Sequence, residues 1–203
     1  MSTQQSTQQL SFLQETIIYA RRAREFNRED WIVYVAWIGL MSGLFLSVGG
    51  FFLIGWNAGV VFPAYAWNIP IGTAIFVAAI AFDTIGHRTI YKEAIQRGEK
   101  LVHHITIFAG ITSVLGLCLA YQHGDFIWVP TLVLIVLSMV FSLIDEGMHW
   151  HRYFTQHSDR VEMWSHFFIL LGHSTMIVAW WYWYSQGYQG VAETLQALDR
   201  LRM

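Results

Sequence analysis

Four carboxylate–histidine pairs in this chain share one spacing. Asp83 stands four residues before His87, Glu99 before His103, Asp145 before His149 and Glu162 before His166. Fourteen acids and nine histidines scattered at random over 203 residues would give about 0.6 such pairs, so the recurrence is a pattern and not an accident. On an α-helix the (i, i+4) spacing puts both side chains of a pair on one face. A carboxylate and an imidazole presented together are the donors of a nitrogen–oxygen metal site suited to iron, zinc, manganese or copper. Eight such donors exceed what one tetrahedral ion takes and fit two ions better, with carboxylates able to bridge.

The pairs also repeat as pairs of pairs. A shift of 62 residues carries Asp83 and His87 onto Asp145 and His149, and a shift of 63 carries Glu99 and His103 onto Glu162 and His166. Other residues blur or break this two-fold pattern. Glu146 lies three residues before His149, so either Asp145 or Glu146 could be the ligand on that helix. His104 adjoins His103 and could replace it. His173 lies seven residues after His166, on the same face and about 10 Å deeper along the helix. Its repeat equivalent is Gly110, so His173 is an additional ligand, a proton relay, a substrate contact or a satisfied core histidine. His151 and His157 fall in a connector, and His123 beside Asp125 is given no role.

The elements that must position these residues are membrane helices. The chain is 55% hydrophobic, 16% aromatic and 13% charged, with ten tryptophans and a mean hydropathy of +0.39. Soluble domains carry about 25% charged residues. The net charge of −2 gives no electrostatic footprint for nucleic acid. Cys118 is the one cysteine, which excludes a disulfide framework and a thiolate cluster and leaves nitrogen and oxygen as metal donors. Residues 1–9 form a Ser/Thr/Gln tract without the basic and apolar regions of a signal peptide.

Five apolar segments follow, near 31–56, 69–86, 101–121, 126–148 and 164–184, each close to the ~20 residues that span a bilayer. Tryptophans and tyrosines gather at their ends, as Trp31, Trp56, Trp128 and Trp164 do. The expected fold is therefore an all-α integral membrane protein with five transmembrane helices. The last four form an up-down-up-down bundle of two similar hairpins, and an N-terminal interfacial helix precedes them. Three regions follow: a cytoplasmic segment over 1–30, a transmembrane domain over 31–185 and a polar C-terminal tail over 186–203. The internal repeat covers about 69–121 and 129–184.

Orientation is read from the basic residues. Arg21, Arg22, Arg24 and Arg28 precede the first segment, Arg88, Lys92, Arg97 and Lys100 follow the second, and Arg152 and Arg160 follow the fourth. The positive-inside rule then expects a cytoplasmic N-terminus and an outer C-terminus, in the inner membrane if the cell is bacterial. Under that topology all four pairs lie on the cytoplasmic side. A straight second helix would leave Asp83 roughly 20 Å below Glu99, so level pairs require the connectors to fold sideways, for instance as a short helix over 88–96.

The chemistry expected is that of a di-metal oxidoreductase, with iron the first choice and zinc, manganese and copper the alternatives. The architecture resembles that of soluble di-iron carboxylate bundles, although those use Glu-x-x-His on two helices and here every helix carries an (i, i+4) pair. Such a centre would use dioxygen on a substrate reached from the lipid bilayer (a lipid, hydrocarbon, isoprenoid or quinol) as a hydroxylase or desaturase, with electrons from a separate donor. Two other classes compete. A b-type cytochrome would hold haem between His103 or His104 and His166 or His173 but leaves four carboxylates unexplained. A divalent-cation transporter or non-catalytic metalloprotein would need polar residues further across the bilayer, and only His173 supplies one. In a purely structural reading each acid pairs with a nearby arginine or histidine at the headgroup level.

Overall fold

The computed structural model describes residues 10–90, 97–156 and 159–202, and among them the chain is helical apart from short connectors, with no strand. Six α-helices follow in order: α1 (Phe12–Arg21), α2 (Arg28–Asn57), α3 (Asn68–Thr89), α4 (Arg97–Gln156), α5 (Arg160–Ser185) and α6 (Val191–Arg202), with short 3-10 turns at Arg22–Glu25 and Ala64–Trp67. Three helical stretches, Arg28–Asn57, Ala64–Thr89 and Gly98–Thr155, are long and apolar enough to cross a membrane. α5 has comparable length at 26 residues, but two histidines and six Trp/Tyr residues make it less apolar on a hydropathy scale.

The expected third and fourth segments are one helical run, α4, whose backbone leaves helical values at His123 (φ −129°, ψ 32°). A straight helix would separate His103 from Asp145 by about 63 Å across 42 residues. Their side chains instead lie 2.9 Å apart. The chain therefore reverses at His123, and the two arms, 97–122 and 124–156, run side by side. Gly116 makes this possible near the bend, because any side-chain carbon there would collide with Thr131. Tyr188, held with φ +53° after Gly187, sends its hydroxyl to the Leu117 carbonyl and ties the end of α5 to the same place.

α2 starts where Asn27 and Asp30 form a reciprocal cap: the Asp30 amide donates to Asn27 Oδ1 (2.9 Å) and the Asn27 amide to Asp30 Oδ2 (3.2 Å). Asp30 is buried, and its Oδ1 also accepts from Arg88 Nε at 2.8 Å, so one capping residue docks α2 on the end of α3. α1 lies over the same end. Tyr19 is buried with Phe26, Ile85 and Val161, Arg160 Nε donates to Glu15 at 2.8 Å, and Leu13, Ile17 and Ile18 stay exposed on the outer face. At the opposite end Phe52, Phe62, Trp67 and Trp183 pack edge to face or tilted. Within the polar C-terminal tail, residues Val191–Arg202 form an amphipathic helix. α6 buries Thr194 and Ala197, and Thr194 fills the space that Gly55 of α2 leaves open.

The closest helix crossing is that of α3 and α5 at Gly72 and Gly172. A Cβ on Gly172 would lie 2.6 Å from the Phe76 amide nitrogen and 2.7 Å from the Gly72 carbonyl oxygen, and one on Gly72 would meet Met176 and Gly172 as closely. Both obstacles are backbone and cannot rotate away. Gly172→Ala is expected to destabilise the protein by about 1–3 kcal/mol, seen as a fall of roughly 5 °C in the unfolding midpoint in detergent. Gly43→Ala, whose added methyl would meet nothing within 4 Å, is the control and should leave the midpoint unchanged.

One expectation about the connectors changes, and another falls largely outside the described residues. The second hairpin does not fold sideways after residue 148, because α4 continues to Gln156 and Asp159 caps α5 through the Val161 amide at 2.9 Å. His149 lies seven residues before the end of α4 and His166 six after the start of α5, so both sit about 10 Å from the turn and are level without a sideways connector. In the first hairpin Arg88 and Thr89 form the last turn of α3, and the remainder of the helix expected over 88–96 falls outside the described residues. His157 falls outside them as well.

Candidate metal centre

Each of four helical segments brings its pair to one place. Asp83 and His87 come from α3, Glu99 and His103 from the first arm of α4, Asp145 and His149 from the second arm, and Glu162 and His166 from α5. The four imidazoles crowd together: ring centroids are 5.1 Å apart for His87 and His103, 5.8 Å for His103 and His166, and 6.1 Å for His87 and His166. His149 stacks on His166 at 3.2 Å. His149, Glu162, Glu99 and His166 are each at most 4% exposed.

Within this group six residues form an inner set. His166 Nε2 lies 2.8 Å from Asp83 Oδ1, which is also 3.4 Å from His87 Nε2. His103 Nδ1 lies 2.9 Å from Asp145 Oδ1, while its Nε2 faces His87 Nε2 at 3.3 Å. Asp145 Oδ2 is 3.6 Å from His166 Nδ1. Most of these atoms are close without being aligned as hydrogen bonds. Asp83 Oδ1 with His166 Nε2, and Asp145 Oδ1 with His103 Nδ1, are buried and meet as ion pairs at 2.8 and 2.9 Å without the alignment of a hydrogen bond. Buried polar atoms are normally paired, so donors converging on common points with their hydrogen bonds unmade fit a site for cations. Two groups have the necessary spacing, each offering ligand atoms within 4.8 Å of one another: His87, His103 and His166, and His103, Asp145 and His149. His103 belongs to both.

Glu99 and Glu162 form an outer layer around one arginine. Arg152 Nη1 donates to Glu162 Oε1 at 3.0 Å and Arg152 Nη2 to Glu99 Oε1. Glu162 Oε1 is also 3.2 Å from His149 Nδ1. That contact is the arrangement by which a carboxylate orients a ligating histidine, leaving Nε2 to face Asp145. The pairs at 99 and 162 thus contribute their histidines to the inner set and their carboxylates to its support. Arg152 was not singled out as part of the site from sequence, where it counted only as a basic residue of a connector. Its position three residues after His149 and seven after Asp145 puts it on their face, and that spacing was the available signal.

Of the remaining candidates, Asp145 faces the imidazoles, whereas Glu146 Oε1 accepts from Trp150 Nε1 at 2.6 Å and points away. His104 is exposed, with Nδ1 2.6 Å from the Lys100 carbonyl, and does not join the cluster. His173 is buried deeper in the protein, apart from the inner set, against Gly110 and the ring of Phe76. A cavity of about 250 Å³ connects the two levels. Asp83, His103, Asp145 and His166 form its polar end and His173 lies along its wall, while most of the rest is apolar. Comparison of the chain with protein-family models, with curated proteins and with solved structures finds no match.

Proposed function

We propose that the protein is an integral-membrane oxidoreductase that holds two metal ions, iron for preference, and uses dioxygen to hydroxylate or desaturate a hydrophobic substrate. The observation that carries this reading is the inner set itself: two overlapping donor groups sharing His103, opening directly on an apolar cavity. Redox-active ions bound there would supply dioxygen activation, which nitrogen and oxygen donors without thiolate suit. The chain's own residues would bind the ions, orient His149 through Glu162 and exclude water from the apolar cavity. Hydroxylation places one oxygen atom in a C–H bond and releases the other as water. Desaturation removes two hydrogens and releases both oxygens as water. Either balances only with two electrons and two protons from outside, hence the separate reductant.

In the membrane we propose five crossings: α2, α3, each arm of α4, and α5, the last four running up and down as two hairpins. The exposed apolar side chains along α2 and α4, such as Val35, Leu46, Phe108 and Val133, support contact with lipid. α1, with an exposed apolar face and several arginines after it, would lie at the interface. The arginine distribution supports a cytoplasmic position for the metal centre, which would bring it within reach of reductants. Haem is the weaker reading, since His103 and His166 lie against the carboxylates of Asp145 and Asp83, which haem ligation leaves without a role.

The test compares lipid extracts from cells making the wild-type protein or the His149→Ala variant under isotope-labelled dioxygen. A lipid or quinone that gains a labelled oxygen, or loses two hydrogens, only with the wild type is the expected result. Identical extracts would overturn the proposal.

A further inference from the structure

The cavity beside the metal centre carries two buried polar groups that the centre does not use and that have no hydrogen-bond partner. His173 is 4% exposed, lines the cavity, and its Nε2 has no hydrogen-bond partner. Opposite it is Gly110, where a Cβ would come within 3.8 Å of Nε2, so the absence of a side chain there leaves the imidazole open to the cavity. The second group is Thr106, which lines the same cavity with a buried and unpartnered Oγ1. Thr73, Thr84 and Thr89 satisfy their hydroxyls on the preceding turn, each donating to the carbonyl four residues back at 2.7 Å, and the buried Thr131 hydroxyl, also without a partner, packs against Gly116 away from this cavity. Thr106 makes no such bond, although nothing in helix geometry prevents it.

Thr106 lies three residues after the ligand His103 and four before Gly110, so it occupies the stretch of cavity between the centre and His173. Apart from Ser142, the rest of this wall is largely apolar and includes Met41, Phe76, Ile80 and Ile111. An imidazole and a hydroxyl left unbonded against hydrocarbon are unfavourable, and a ligand that bonds both removes the penalty. A plain hydrocarbon cannot do this. A neutral imidazole and a hydroxyl can each donate or accept, so they fit an alcohol, a phenol or a carbonyl.

We propose that the cavity binds an apolar molecule bearing a hydroxyl or carbonyl oxygen, which His173 Nε2 and Thr106 Oγ1 hold by hydrogen bonds while its carbon body extends along α2. This narrows the substrate class within the oxidoreductase reading and rests on that reading for the reaction, but not for binding. The oxygen could sit on a ring, as in a quinol, or at the end of a chain, as in a fatty alcohol.

The experiment measures binding of three probes to the detergent-purified full-length protein: a quinol with a ten-carbon tail, hexadecanol and hexadecane. The wild type is expected to bind at least one oxygenated probe more tightly than hexadecane, and the stronger of the two identifies the ring or chain form. His173→Phe and Thr106→Val should each weaken that probe by about tenfold, the loss of one hydrogen bond, and leave hexadecane unaffected. Gly110→Leu, which fills the cavity, should abolish binding of the oxygenated probe. Hexadecane binding as tightly as the oxygenated probes, both polar variants binding like the wild type, or no binding of either oxygenated probe would each overturn the proposal. Metal content of the same preparations is read separately. Protein that carries no metal and takes up none, yet still loses the probe on His173→Phe, would uphold this site and refute the di-metal centre.

Discussion

His103→Ala is expected to empty both ion positions at once, whereas His87→Ala and His149→Ala should each retain about one ion per chain. The asymmetry follows from geometry and not from histidine count. His87 is in one donor group and His149 in the other, but His103 is in both, with Nε2 turned to His87 and Nδ1 to Asp145. Removing even a residue that orients a ligand lowers metal affinity by about 10–100-fold, and removing a ligand shared by both groups acts on each. Metal analysis of the three variants, purified side by side, checks this. Equal loss in all three would mean that His103 is not shared and that the two groups are one site.

The largest effect on stability is expected at Arg152. Its guanidinium joins Glu99 and Glu162, side chains only 3% and 2% exposed, from two other helical segments, α5 and the first arm of α4. Arg152→Met keeps the length and apolar stem of the side chain but withdraws the positive charge from between two buried carboxylates. Breaking a buried ion pair in this way costs about 3–5 kcal/mol. At this chain length the unfolding midpoint should fall by on the order of 10 °C. The cause is separable from lost packing. Adding Glu99→Gln and Glu162→Gln removes the stranded charges and should return most of the midpoint while leaving the methionine in place. If the triple variant is no more stable than Arg152→Met, the arginine acts through packing and not through charge.

Arg152 also shows where a reading of the sequence stops. The four pairs were legible because (i, i+4) spacing is a property of one helix, and their common depth followed from apolar lengths and the placement of basic residues. Which carboxylates lie inside and which support them is decided between helices, and no spacing records it. Asp83 and Asp145 turn inward, while Glu99 and Glu162, a methylene longer, reach the guanidinium. Asp145 and Glu146 differ by one residue, about 100° around the helix, and the indole of Trp150 one turn on takes Glu146. The expectation of sideways connectors rests on the offset of roughly 20 Å that a straight second helix would leave between Asp83 and Glu99. The overhang of α4 to Gln156 makes the second hairpin level by symmetry instead, and the apolar run gave no reason to extend the helix through Trp150–Gln156, because those residues are mostly polar and aromatic. The tail was read as polar from its composition, although Val191, Thr194 and Ala197 recur at three-residue spacing and are the face that α6 buries.

His173 stood out from sequence as the histidine without a repeat partner, with several roles open to it. The cavity beside it, Gly110 opposite and the unsatisfied Thr106 hydroxyl favour contact with substrate, and all three are properties of packed helices.

The central claim is that these inner residues hold two redox-active ions, and metal analysis of freshly purified wild-type protein together with its optical spectrum tests it most directly. The account predicts about two iron atoms per chain and no Soret band. Protein that carries no metal as prepared and takes up none, or that shows a Soret band, would contradict it.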